Sequence, residues 1–244
     1  MLYQKFYKIV SKQLDRQIEE EAANIEKAAE YCAKSVMAGR VIHTFGTGHS
    51  QMFGMEIAYR TGSIIPVNAL LIPQHAIYPR AKLSTELERV EGFSNAYLQL
   101  ENTDEKDTMI IVSMSGRNAS SVDMAMEAKK IGMKVIALTS KAFSGAVSSR
   151  HSSNKKLMDV ADVVIDIKCI AGDAVLEVEG LDDKVSSTST ILGMMTMQLI
   201  MTQTIENCVE AGFKPPVYVS SNLDRGDEIN KKNMEKYASI INYL

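Results

Sequence analysis

The first part of the chain, from Leu2 to Met37, carries apolar side chains at helical spacing. They recur every three or four residues, as Val10, Leu14, Ile18, Ala22, Ile25, Ala29, Cys32 and Val36. This pattern predicts one long amphipathic helix ahead of the first strand. Its apolar stripe packs either on the core of the same chain or on a partner subunit, and the sequence leaves both open.

After Gly39 the pattern changes to short apolar runs that alternate with helical segments, which is typical of β-α-β units. Strands are predicted at Val41 to Phe45, Ile64 to Val67, Met109 to Val112, Lys134 to Leu138 and Val163 to Ile167. Helices are predicted at Ser50 to Arg60, Ser84 to Glu91, Ala119 to Ile131, Ser187 to Ala211 and roughly Gly226 to Tyr243. The polar stretch 140–154 is predicted to be a loop, and 171–185 to be irregular.

These elements predict an α/β fold, a doubly wound, five-stranded parallel sheet with helices on both faces and a long N-terminal helix. One domain is expected over 1–244. It consists of a helical extension (1–38), the sheet core with the long helix (39–212) and a C-terminal loop and helix (213–244). In open parallel sheets, ligands bind beyond the carboxyl ends of the strands, where the strand order reverses. The loops after Phe45 and Val112 are expected there.

Composition excludes several classes of function. Hydrophobic residues make up 45% of the chain, charged residues 23%, and the formal net charge is -3, so the basic surface that binds duplex nucleic acid is not expected. The three cysteines are odd in number and far apart, which indicates a reducing compartment. The amino terminus does not resemble a signal peptide, and the most apolar stretch, Ile191 to Met201, is too short to cross a bilayer. We therefore expect a cytoplasmic protein with no membrane or nucleic-acid partner.

Two loops rich in glycine and hydroxyl residues each follow a predicted strand and precede a helix. They are Gly46-Thr47-Gly48-His49-Ser50 and Ser113-Met114-Ser115-Gly116-Arg117-Asn118. Glycines let an anion approach backbone N–H groups at a helix amino terminus, and serine hydroxyls can donate to a phosphate. Each loop alone also fits a tight turn with a capping residue, but two in one sheet favour a phosphate site. Gln51 excludes a dinucleotide fingerprint, and no Gly-Lys-Ser/Thr completes a Walker loop.

This pair of loops resembles the sugar isomerase (SIS) domain family, and the resemblance extends from Val41 to about Leu223. The chain length, the N-terminal helix and the run Ser186-Ser187-Thr188-Ser189 are similar to bacterial proteins labelled phosphoheptose isomerases. The resemblance implies a flavodoxin-like sheet, a homodimer or homotetramer, and a sugar phosphate as partner. We expect no cofactor, and no metal because no cluster has ligand spacing. The residues expected to bind the phosphosugar are Gly46, Thr47, Gly48, His49, Ser50, Ser113, Ser115, Gly116, Asn118, Ser187 and Thr188.

Isomerisation of a sugar requires a base and a group that opens the ring. Glu88 and Glu91 lie three residues apart and are predicted to share a helical face, although a solvated helix shows the same pattern. His75, in the proline-containing connection, is the candidate for ring opening. The resemblance implies a catalytic base at the carboxylate of Asp182, near Ser187 and Thr188, which also fit a helix N-cap.

Two other histidines are not expected to react: His43 is predicted to be a satisfied core residue, and His151 to be solvated. Three functions fit this set of residues. The first is an aldose–ketose sugar-phosphate isomerase that works through an enediol with a glutamate base. The alternatives are a lyase of the N-acetylmuramate 6-phosphate etherase kind and a non-catalytic sugar-phosphate sensor.

Overall fold

The computed structural model describes all residues from 1 to 244. Five parallel strands form a sheet in the order β2-β1-β3-β4-β5, and β6 and β7 form a separate antiparallel pair. The strands are β1 Ile42–Gly46, β2 Val67–Ala69, β3 Thr108–Val112, β4 Lys134–Thr139, β5 Val163–Asp166, β6 Ala174–Leu176 and β7 Val185–Ser187. The helices are α1 Leu2–Met37, α2 Gln51–Ile57, α3 Ala81–Leu87, α4 Asn95–Leu98, α5 Ala119–Ile131, α6 Lys141–Gly145, α7 Leu157–Val160, α8 Ser189–Glu210 and α9 Gly226–Met234.

Side chains of the strands alternate between two apolar layers, one on each face of the sheet. On β3, Ile110 and Val112 pack in the layer that contains side chains of α1, α2 and α8. Met109 and Ile111 pack in the opposite layer, with side chains of α4, α5 and α7. Because both faces are covered, the strands are nearly continuous apolar runs. The predicted fold class, with helices on both faces and a long N-terminal helix, is confirmed.

Helix α1 packs on its own chain over most of its length. Its buried face begins at Val10, and Gln13 and Gln17 donate hydrogen bonds to the backbone carbonyls of Lys168 (2.9 Å) and Ile167 (2.8 Å). The first turns extend beyond this contact and leave Tyr3 and Tyr7 exposed. The homodimer or homotetramer stays a prediction. None of the helices combines the length and the apolar character needed to cross a lipid bilayer.

The second strand differs most from the sequence-based prediction, because β2 begins at Val67 and not at Ile64. Pro66 lies inside the predicted strand and has no N–H to donate to a ladder. Ile64 instead forms an antiparallel bridge with Val217, outside the sheet. The predicted strand is therefore split in the structure, because Ile64 pairs with Val217 and the part from Val67 onward pairs with β1.

Three other segments also differ from their predictions. The predicted loop 140–154 contains the short helix α6, which Ser140 caps by accepting a hydrogen bond from the N–H of Phe143 at 3.0 Å. The segment predicted to be irregular, 171–185, contains β6 and reaches β7. The last helix ends at Met234 and not at Tyr243, and turns follow it.

Candidate functional site

The two predicted phosphate loops start side by side at one edge of the sheet. Strands β1 and β3 are hydrogen-bonded neighbours, with Gly46 in register with Val112. The first loop (46–50) and the second loop (113–118) therefore leave the sheet at the same level. Strand β2 lies on one side of β1 and β3 on the other, so the strand order reverses between these two loops. This is the position at which open α/β sheets bind ligands.

The first loop folds tightly over the start of its own helix. A Cβ added at Gly46 would lie 2.5 Å from the carbonyl oxygen of Ser50, so only glycine fits there. Gly48 has a φ of +57°, a left-handed conformation that glycine adopts without steric cost. The N–H of Ser50 donates to the carbonyl of Thr47 at 3.0 Å, and the resulting turn runs directly into α2. Both glycines are therefore required by the shape of this loop.

The second loop is fixed from the side of β4 and α7. The carbonyl of Met114 accepts hydrogen bonds from the hydroxyl of Thr139 (3.0 Å) and the N–H of Ser140 (3.1 Å). The carbonyl of Gly116 accepts one from the N–H of Leu157 at 2.9 Å. Asn118 has an extended backbone and stands at the N-cap position of α5. The first part of the loop is thus held in place through its carbonyls.

Three serine hydroxyls of the loops have no partner in the protein. Ser50, Ser113 and Ser115 are partly buried, and their hydroxyls form no hydrogen bond within the chain. His49 is exposed, and the hydroxyl of Thr47 donates to Glu88. The serines are therefore available donors on two loops that leave neighbouring strands.

Glu88 connects the two loops. Its Oε2 accepts the hydrogen bond from the Thr47 hydroxyl at 2.8 Å, in the first loop. Its backbone carbonyl accepts a hydrogen bond from the N–H of Ser120 at 3.1 Å, just after the second loop. The side chain is partly buried. A carboxylate is thus held at the first loop by a residue whose backbone is joined to the start of α5.

The carboxylate of Glu91 binds another segment of the chain, at Ser152. The prediction that Glu91 shares a helical face with Glu88 is wrong. Helix α3 ends at Leu87, because the carbonyl of Glu88 turns to Ser120 and does not continue the helix. The Glu91 carboxylate accepts hydrogen bonds from the N–H (2.6 Å) and the hydroxyl (2.7 Å) of Ser152. These hydrogen bonds lower the pKa of Glu91. The carboxylate therefore holds the loop before α7.

His75 lies beneath the loops with no exposed surface. Its Nε2 is 2.8 Å from the hydroxyl of Ser94, and its ring centroid lies 5.9 Å from that of Phe45 and 5.2 Å from that of Phe93. Burial lowers the pKa of His75 to about 4. The imidazole is neutral at pH 7 and is enclosed in the core, where its Nε2 also lies 3.4 Å from the hydroxyl of Ser120.

A buried neutral histidine makes stability sensitive to acid. Between the ordinary pKa of 6.5 and the folded-state value of about 4, the unfolded chain binds more protons than the folded one. The free energy of unfolding should therefore fall as the pH falls through this range, by at most about 3 kcal/mol for this group. In urea denaturation, His75→Gln should show a flatter decline than the wild type. Parallel curves for the two proteins would contradict this assignment.

The base expected at Asp182 makes no polar contact with either loop. Asp182 is exposed in the bend between β6 and β7 and forms no hydrogen bond or ion pair. Ser187 is exposed in β7, whereas Thr188 is buried. The start of α8 is instead held by Asp173, whose Oδ1 accepts the N–H groups of Thr188 (2.9 Å) and Ser189 (2.8 Å). Sequence reasoning missed Asp173 because this capping group comes from a different segment of the chain.

The remaining histidines give one confirmed prediction and one correction. His43 is a satisfied core residue as predicted, with its ring nitrogens 3.2 Å from Asp107 and 3.2 Å from Asn68. His151 was predicted to be solvated, which is wrong, because only 9% of it is exposed. Its Nε2 lies 3.0 Å from a carboxylate oxygen of Asp123 on α5. The polar segment around it is folded onto the protein by these contacts.

Similarity to known proteins identifies the family. Residues 5–140 match the family model described as the SIS domain, and this range includes both loops. The chain belongs to the SIS domain family. A UPF0309 protein of Halalkalibacterium halodurans is 40% identical to this SIS protein over 236 residues, which covers 97% of this chain and 96% of the relative. A UPF0309 protein of Geobacillus thermodenitrificans is 34% identical over 244 residues, covering 100% of this chain and 98% of the relative.

Solved structures resemble this SIS protein in fold. A phosphoheptose isomerase from Francisella tularensis superposes with a TM-score of 0.55 at 14% identity, covering 84% of this chain and 96% of that chain. A phosphoheptose isomerase from Neisseria gonorrhoeae superposes with a TM-score of 0.53 at 15% identity, covering 86% of this chain and 97% of that chain. At these identities the likeness shows the fold alone.

Proposed function

We propose that this SIS protein binds a sugar phosphate and interconverts its aldose and ketose forms through an enediol, with Glu88 as the base. The observation that carries the proposal is the position of Glu88, which accepts a hydrogen bond from the first loop and accepts another just after the second. The family and the fold of the phosphoheptose isomerases support the substrate class.

The phosphate would be held where the two loops meet. Ser50, Ser113 and Ser115 supply hydroxyl donors, and Gly48 lets an anion approach the backbone N–H groups at the start of α2. Hydrogen bonds to a charged group contribute about 1.5 to 3 kcal/mol each, so three or four suffice to hold a phosphate without a lysine. Ser187 and Thr188 are not required for this anchor.

The reaction needs one group that moves a proton between adjacent carbons. Glu88 takes the proton from the carbon next to the sugar carbonyl, and the carbonyl oxygen gains a proton, which gives the enediol. The carboxylate then returns its proton to the former carbonyl carbon, while the hydroxyl oxygen on the first carbon loses its proton and becomes the new carbonyl. The same carboxylate is base and then acid, so no proton is gained or lost overall. Thr47 holds the carboxylate in position through its hydrogen bond at 2.8 Å. Because the Glu88 side chain is partly buried, water has limited access to its carboxylate.

Exchange of the C2 proton with solvent tests this function. The purified protein is incubated in D2O with a panel of hexose, pentose and heptose phosphates, and deuterium at C2 is followed by NMR. We expect incorporation into at least one substrate, together with formation of its aldose or ketose partner. Silence across a panel that binds by calorimetry would indicate a sensor. Release of lactate from N-acetylmuramate 6-phosphate would indicate a lyase, since proton abstraction beside a carbonyl also starts β-elimination.

A further inference from the structure

Two arginines are joined at the far end of the second loop. Arg117 belongs to the loop, and Arg150 comes from the polar segment before α7. The N–H of Arg150 donates to the carbonyl of Arg117 at 2.8 Å. Nη1 of Arg150 donates to Oδ1 of Asn118 at 3.0 Å, and Nη2 of Arg117 donates to the hydroxyl of Ser148 at 3.4 Å. The fold thus places two guanidinium groups beside the proposed phosphate site.

Neither guanidinium has a carboxylate partner. Four other arginines of the chain form ion pairs with acidic residues, namely Arg16, Arg40, Arg60 and Arg89. Arg117 and Arg150 form none, and the Nε of Arg117 is buried without any hydrogen-bond partner. A buried unpaired donor costs free energy, and a ligand can repay this cost. Arg117 and Arg150 therefore have no anionic partner within the protein.

The surrounding charges also leave positive charge uncompensated. Partial burial lowers the pKa of Arg150, and the guanidinium groups of Arg117 and Arg89 lower it further, whereas Glu88 opposes them. Three cationic side chains, Arg89, Arg117 and Arg150, therefore influence one another. Of these, Arg89 has a carboxylate partner, Glu86, at 3.7 Å. A surface region with excess charge of one sign attracts ligands of the opposite sign.

We propose that Arg117 and Arg150 form a subsite for a second anionic group of the substrate, a carboxylate or a second phosphate. The inference rests on the proposed function and adds to it a narrower substrate class, sugar phosphates that carry two anionic groups. The first phosphate has its own donors in the free serine hydroxyls and the loop N–H groups. The guanidinium of Arg150 lies beyond these, at Asn118, with Nε and Nη2 still free. A planar guanidinium matches the oxygens of a carboxylate or phosphate in a bidentate pair.

Calorimetric titration with matched open-chain ligands tests the subsite. Glucitol 6-phosphate carries the phosphate alone, 6-phosphogluconate adds a carboxylate, and hexitol 1,6-bisphosphate adds a second phosphate. We expect the wild type to bind at least one of the two latter ligands about 10- to 100-fold more tightly than glucitol 6-phosphate. Arg150→Gln and Arg117→Gln should each remove most of this preference and leave the affinity for glucitol 6-phosphate nearly unchanged. The ligand that is preferred identifies the second group.

A matched control and two outcomes make the test decisive. Arg225→Gln removes another exposed arginine without a carboxylate partner, far along the chain near α9, and should leave all three affinities unchanged. Equal wild-type affinities for the three ligands would overturn the subsite. An equal loss for all three ligands in Arg150→Gln would also overturn it, because the arginine would then hold the common phosphate. Failure of glucitol 6-phosphate to bind the wild type would instead contradict the proposed phosphate site itself.

Discussion

Replacing Glu88 by glutamine should lower the turnover of the sugar phosphate about 10²- to 10⁴-fold, the usual contribution of a positioned general base. Thr47 donates a hydrogen bond of 2.8 Å to Glu88 in the wild type. Glutamine has the same length as glutamate, and its amide oxygen can still accept this hydrogen bond. It cannot take a proton from carbon. The affinity for the substrate should therefore change little, so the loss should appear in kcat and not in Kd.

Glu86→Gln is the matched control for this substitution. Glu86 lies in helix α3, two residues before Glu88, and its side chain is exposed. Its contact with Arg89 at 3.7 Å is a surface ion pair, which contributes little to stability. The control should retain wild-type turnover. A Glu88→Gln variant that keeps more than about a tenth of the wild-type kcat would remove Glu88 from the role of base.

Replacing Gly46 by alanine should abolish measurable binding of the sugar phosphate. The new Cβ would lie 2.5 Å from the carbonyl oxygen of Ser50 and 2.7 Å from its carbonyl carbon, both backbone atoms that cannot rotate away. The first loop must therefore shift, which separates its donors from those of the second loop. Forcing a methyl group into a packed site costs about 1 to 3 kcal/mol, so the midpoint of urea unfolding should also fall.

Gly145→Ala provides a control with the same change of side chain. No atom lies within 4 Å of a Cβ added at Gly145, which is in the short helix α6. This variant should bind and unfold like the wild type. Normal binding by Gly46→Ala would show that the tight turn of the first loop is not needed for the ligand.

The fold was largely predictable from the sequence because its core strands are buried on both faces. Such strands appear as uninterrupted apolar runs, as at 109–112 in β3 and 135–138 in β4. The run that contains Pro66 misled the prediction, since both halves are apolar but only one pairs with β1. The short strands β6 and β7 carried no clear alternation and were not predicted.

The candidate site was predictable only where its residues are local in sequence. Each phosphate loop follows its own strand, so the register of Gly46 with Val112 follows from the sheet alone. Asp173, which holds the start of α8, and Arg150, which we propose for the subsite, were missed because their contacts lie in other segments, at Ser189 and Asn118. Spacing along one segment does not report such tertiary contacts.

Glu91 and His75 were predicted to be catalytic because of their residue types and their segment, but in the structure both have structural roles. The Glu91 carboxylate is bound by Ser152, and His75 has no exposed surface. Both outcomes depend on how the connection 73–94 folds over α5. The sequence indicates that this connection borders the loops, but not which of its side chains face them.

A crystal structure with a bound sugar monophosphate tests the central claim most directly. We expect the phosphate oxygens within hydrogen-bond distance of donors in both loops, including the hydroxyl of Ser113 or Ser115 and an N–H group of the first loop. A phosphate bound by one loop only would contradict the account. So would a phosphate found instead in the cavity of about 710 Å³ near the carboxyl terminus, which is lined by Lys214, Lys232 and Lys236.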